Sequence, residues 1–176
     1  MRLALALALA LSACSSVQVK TDWDPEADFA GLHTWAWQKE TPSPTGNPRL
    51  DDPLVHKRIQ AAILAALARR GYTKVDQGRP DFEVAYHVAI EQRLDAQTIY
   101  TGYGPYRGGG MAGAHTVVDS YDLGTLMIDF ISPVTNSVIW RGTAQSRLQD
   151  LKTPAEREQR VQEVVDEVLD KFPPDR

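Results

Sequence analysis

The chain has 176 residues, with 19 basic and 23 acidic side chains, a net charge of −4 and no block of like charge. This balance excludes the basic footprint of a nucleic-acid-binding domain, and a single cysteine excludes a disulfide framework. The length suits one hydrophobic core and is short for two domains.

The chain opens with Arg2, followed by an uninterrupted run of alternating Leu and Ala over residues 3–11. A membrane-spanning helix needs roughly 20 apolar residues, so this run reads as the core of a signal peptide. It closes on Leu11-Ser12-Ala13-Cys14, which resembles the bacterial lipobox: an aliphatic residue, two small residues and a cysteine whose thiolate takes a diacylglycerol. The alternatives are an ordinary secretory signal with a chance cysteine, or a short buried helix. The lone cysteine stands where lipidation requires one, and an exported domain would otherwise carry a free thiol. The expectation is a signal peptide over 1–13, a lipidated terminus and short tether over 14–16, and one domain over 17–176. Acyl chains on Cys14 give stable membrane anchoring where one chain alone gives only marginal binding. Ser15 and Ser16 after the cysteine, where Asp would signal inner-membrane retention, point to the outer membrane, facing the periplasm.

Residues 17–23 alternate apolar and polar and predict a strand. Asp24-Pro25 breaks it, and the aromatic run over 32–37 predicts a second. Residues 39–47 carry Pro42, Pro44 and Gly46 and read as a loop. Asp52 and Pro53 open a helix as N-cap and first helical residue. Val55, Ile59, Ala62, Ile63, Ala66 and Leu67 form its apolar stripe, and Gly71 ends it. Residues 81–90 predict a strong strand with Phe82, Val84, Tyr86, Val88 and Ile90 on one face. Strands over 124–131 and 138–144 make a hairpin around Pro133. Thr153 and Glu156 form a capping box for a last helix carrying Val161, Val164, Val165, Val168 and Phe172, stopped by Pro173-Pro174. The order is ββαβββα. It predicts an α+β, two-layer sandwich: a mostly antiparallel sheet with two helices packed on one face.

Several of these stretches, taken together, resemble one family. Asn47-Pro48 through Gly71-Tyr72, Asp81 to Tyr86, Trp140-Arg141-Gly142 and the closing Phe172-Pro173-Pro174 are similar in order and spacing to a bacterial lipoprotein family, domain of unknown function 4136 (DUF4136). The resemblance implies lipidation and a compact α+β domain, and brings no established activity or catalytic residue. Ser132-Pro133 stands where that family often has Asp at the hairpin turn.

Candidate chemistry is sparse. His33, His56, His87 and His115 lie in separate elements without the close ligand spacing of a zinc site. Gly102-Tyr103-Gly104 lacks the Lys-Ser/Thr and following helix of a phosphate loop. Tyr100, Tyr103, Tyr106 and Arg107 sit in a glycine-rich stretch and form a candidate partner-binding loop, as adaptable Tyr/Gly loops do; the alternative is an excursion without a task. Trp35, Trp37 and Trp140 suit a core better than a ligand cleft. Asp122 and Asp129 are an odd number of residues apart, which sets them on opposite faces of a strand. A G-x-S-x-G elbow is absent. The reading is therefore a monomeric, cofactor-free, non-catalytic envelope lipoprotein, attached to the membrane through Cys14, with an envelope protein or glycan as possible partner. The alternative is an unrecognised periplasmic hydrolase or small-ligand-binding protein.

Overall fold

The structure, a computed structural model, describes residues 17–39, 41–100 and 114–174, with the backbone alone at 96–100 and 114–117. The described elements are β1 (Gln18–Trp23), β2 (Thr34–Trp37), α1 (Pro53–Arg69), β3 (Thr73–Lys74), β4 (Phe82–Tyr100), β5 (Ala114–Ile131), β6 (Val138–Arg147) and α2 (Pro154–Leu169). The strands form one 6-stranded sheet in the order β1-β6-β5-β4-β2-β3.

Both helices begin and end where local chemistry dictates. The Asp52 carboxylate accepts from Leu54 N–H at 2.8 Å, with Pro53 in the first turn. At the other end Tyr72 N–H donates to Leu67 C=O and Gly71 N–H to Ala68 C=O, the paired bonds of a Schellman cap. Gly71 has φ +88°, a conformation that favours glycine. In α2 the capping box closes in both directions: Glu156 N–H donates to Thr153 Oγ1 at 3.2 Å, and Thr153 N–H to Glu156 Oε2 at 3.1 Å.

One face of the sheet shares a core with both helices. Phe82, Val84 and Tyr86 of β4, Leu126, Ile128 and Phe130 of β5, and Trp140 and Ala144 of β6 are buried. They join one cluster with Ile59, Ile63 and Leu67 of α1 and with Val165, Val168 and Leu169 of α2. Among the described residues every buried member of that cluster lies between Phe29 and Phe172, so a chain starting at residue 14 retains all of them. Gly142 fixes how closely α2 approaches β6, since a Cβ there would lie 2.5 Å from both Trp140 Cη2 and Val168 Cγ1.

The mostly antiparallel α+β sheet is as expected, and three features go beyond the sequence-based reading. The sheet is mixed, because β2 runs parallel to β3 and β4. Parallel neighbours need a long crossover, which the segment containing α1 supplies. Strand β3 has only two residues, too few to show a period. The strands expected over 81–90 and 124–131 continue as one ladder to Tyr100 opposite Ala114. Residues 91–95 are all exposed, so among the described side chains this part of the arm has no buried face to impose alternation, while main-chain pairing carries it on. At the β5–β6 turn the Ser132 hydroxyl accepts from Val134 N–H and Thr135 N–H at 3.3 and 3.4 Å. It does there what an Asp carboxylate does in an Asx-turn. Asn136 takes φ 52°.

Candidate functional site

Helices α1 and α2 run in the same direction, and their two ends are built differently. Arg69 Nη2 meets Asp166 Oδ1 at 2.5 Å, Arg70 pairs with Asp170, and Arg70 Nη1 donates to Ala66 C=O at 2.9 Å. Beneath this clamp Phe172 packs against Phe29, Tyr72, Phe82, Phe130 and Trp140, with ring centroids 4.6–6.4 Å apart.

Between the N-terminal halves of the helices and β4–β6 lies a cavity of about 260 Å³. Ile59 of α1, Val161 and Val164 of α2, and Val88, Leu126 and Ala144 of the sheet make its walls. Branched and small aliphatic side chains here leave space that aromatic rings fill at the other end. The segment after β6 closes one side. Gly124 admits Leu148, whose Cδ2 lies 2.6 Å from where a Cβ would stand. Leu148 N–H donates to Asp122 C=O at 2.9 Å. Arg157 donates from Nε and Nη2 to Leu151 C=O at 3.1 and 2.8 Å, holding the segment against the first turn of α2.

The charged part of the described lining is cationic, beside the uncharged Thr125, Ser146 and Gln149. Arg58, Arg147, Arg157 and Arg160 line the cavity, and among the described residues lining it none is acidic. Arg147 and Arg157 are exposed and Arg58 and Arg160 half-buried, with Arg160 Nη2 shielded from solvent. Arg160 meets Glu163 at 3.5 Å, and Arg147 stacks over Tyr121 at 3.8 Å with Asp95 3.8 Å away. Arg58 has no ion-pair partner among the described residues. The N-termini of both helices, the positive ends of their dipoles, lie on this side as well.

Residues 19–174 match the family described as a domain of unknown function, DUF4136. The chain belongs to that family. No curated protein matches it. Among solved structures, this DUF4136 chain is similar to a PDZ domain protein from Parabacteroides distasonis, with 15% identity and a TM-score of 0.55 over 91% of this chain. The match spans 37% of that protein's length, and the likeness is one of fold. A PelC dodecamer from Paraburkholderia phytofirmans matches at 10% identity and TM-score 0.47, covering 87% of this chain and 94% of that one. A minor lipoprotein from Acinetobacter baumannii matches at 12% identity and TM-score 0.32, covering 80% and 89%.

The residues singled out from the DUF4136 sequence are scattered. Cys14, Tyr103, Tyr106 and Arg107 lie outside the described residues; the backbone of Tyr100 ends β4, and its side chain is not among those described. His56 Nδ1 shares a 3.1 Å hydrogen bond with the Tyr86 hydroxyl, whose pKa burial pushes up to about 12. His87 lies 3.9 Å from Asp129, and His33 serves through its backbone N–H, donating to Asp81 at 3.0 Å. Among the described residues no group of three His, Cys, Asp or Glu is placed to hold a metal ion. Trp35 and Trp140 are fully buried in the core. Asp129, 3% exposed, holds Arg141 by bonds of 2.6 and 2.7 Å, while Asp122 pairs with Arg49 at 2.7 Å. The two carboxylates do not converge. Sequence reasoning missed the arginine-rimmed cavity. Its trace was there: Arg157, Arg160, Val161 and Val164 share one helix face.

Proposed function

We propose that this protein is a lipid-anchored component of the bacterial envelope, held to the outer membrane through acyl chains on Cys14 and facing the periplasm, and that its domain is a non-catalytic binding module. The observation that carries the anchoring is where the fold begins. Strand β1 starts at Gln18, paired with Gln145 at the end of β6. The chain from Cys14 to Gln18 reaches no more than about 14 Å, so the domain sits on the membrane surface. The β4–β5 arm projects from that same end of the sheet. From Gln92 to Tyr100 it extends about 27 Å at the usual strand rise, farther than the tether reaches. A partner bound at the end of this arm is therefore met at the membrane and not across the periplasm.

The binding-module reading is supported by the cavity, whose described lining is mainly aliphatic and arginine-rich, with Thr125, Ser146 and Gln149 as its uncharged polar side chains. A hydrolase that used a hydroxyl here would need a base beside it, and the described lining holds no carboxylate or imidazole. Labelled palmitate fed to cells tests the anchoring: the wild type takes it up and Cys14→Ser does not. Equal labelling of both overturns it. Photo-crosslinking from position 103 in the same cells tests the partner contact, which predicts a discrete adduct that is lost when Arg107 becomes Glu.

A further inference from the structure

We infer that the cavity between α1, α2 and the sheet is a binding site for one acyl chain of an anionic amphiphile, chain inward and head at the arginines. The inference rests on the binding-module reading and is independent of lipid on Cys14.

Size, lining and charge each narrow the ligand. Small-molecule pockets span roughly 300–1,000 Å³, and about 260 Å³ lies just under that range. It admits one flexible chain and not a two-chain lipid. The walls are mainly hydrocarbon, from Ile59, Val88, Leu126, Ala144, Val161 and Val164, with Thr125, Ser146 and Gln149 the uncharged polar side chains of the described lining. A largely polar ligand would lose more water there than these few groups replace, so the buried part of the ligand is apolar.

The head is set by the rim. Arg157 is held by a backbone carbonyl, Arg160 by Glu163 and Arg147 by Tyr121 and Asp95. Of the four, Arg58 alone has neither a hydrogen-bond nor an ion-pair partner among the described residues, and it stands half-buried one residue before the cavity-wall residue Ile59. A guanidinium in such a place pairs most favourably with a planar carboxylate or a phosphate, by two parallel hydrogen bonds. Cationic rim and apolar interior together describe a fatty acid, or one chain of an anionic phospholipid. Position agrees with this chemistry. Arg147 follows Gln145 by two residues, and Gln145 is paired with Gln18. The cavity thus opens at the end of the sheet where the chain leaves toward Cys14.

The test uses residues 14–176 with Cys14→Ser, free of lipid of its own, titrated with cis-parinaric acid and with its methyl ester. The fluorescence of the acid should rise saturably, and the uncharged ester should bind about tenfold more weakly, as expected for loss of one charge-assisted contact. Arg58→Gln should weaken the acid by about the same factor and leave the ester unchanged. Val161→Trp, which fills the cavity, should abolish binding of both; a thermal melt checks that it is folded, and Arg58→Gln keeps the test standing if it is not. Displacement by laurate assigns the site to free fatty acids, and displacement by phosphatidylglycerol vesicles but not phosphatidylcholine vesicles assigns it to bilayer lipid. Absence of saturable binding, equal binding of acid and ester, or indifference to Arg58→Gln overturns the inference. Failure here leaves the palmitate result on Cys14 untouched.

Discussion

The two ends of the helix pair are made from the same α1 and α2, yet one is solid and the other hollow. At the C-terminal end, loops and chain ends deliver Phe29, Tyr72 and Phe172 into the gap, and Arg69 and Arg70 tie the helices together. At the N-terminal end the neighbouring positions are Val, Ala and Arg, and space remains. Helix pairing does not by itself fill a core. The residues contributed from outside the helices decide whether an end closes, and here they close only one.

The largest expected effect lies at the closed end. Phe172→Ala removes a ring that touches five aromatic neighbours, and should destabilise by about 3–5 kcal/mol in urea unfolding. A loss below about 1 kcal/mol would mean that the aromatic group is not what closes that end.

A paired measurement sharpens the contrast. Gly142→Ala puts a methyl where Trp140 and Val168 already stand, and should destabilise by about 1–3 kcal/mol through overpacking. Val161→Leu adds a methylene facing the cavity and should be neutral or stabilise by up to about 0.8 kcal/mol. If both variants lose stability equally, the two ends are packed alike.

The clamp contributes less than the rings beneath it. Asp166→Ala removes the carboxylate shared by Arg69 and Arg70, but Asp166 and Arg69 are partly exposed. Pairs of this kind stabilise by at most about 1 kcal/mol each, less in high salt. A loss that salt does not reduce would point to packing instead of charge.

The smallest effect depends on pH and belongs to neither end. Asp81 accepts backbone N–H bonds from His33 and Thr34 and a hydroxyl bond from Thr34, which hold its pKa below the ordinary carboxylate value. Its contribution is complete above the unfolded carboxyl pKa, about 3.9, and is lost as pH falls through the lowered folded value. Asp81→Asn should flatten the acid limb of a stability–pH profile and leave the two helix ends unequal as before. An unchanged acid limb would show that other carboxylates carry it.

Local chemistry made much of this fold legible. The limits of α1 and α2 follow from Asp52-Pro53, from Gly71 and from the Thr153–Glu156 box, because a helix end is satisfied by side chains within a few residues of it. The buried faces of β4 and β5 follow from period-two alternation, because that face meets the helices. Beyond Ile90 the alternation stops while pairing goes on, so the arm was invisible to any pattern of burial. The parallel course of β2 beside β4 depends on a partner 47 residues away in the Thr34–Asp81 contact, which no local rule encodes.

The site divides in the same way. Cys14 is read from a short motif whose meaning is local. The cavity exists only where two helices, three strands and the 148–151 segment meet, and its vacancy is a difference between the volume those backbones enclose and the side chains they carry. No single stretch of sequence contains that difference. The four arginines at its rim come from α1, β6 and α2, scattered over the chain as ordinary surface charges, and only the packing of those elements makes them one charged mouth.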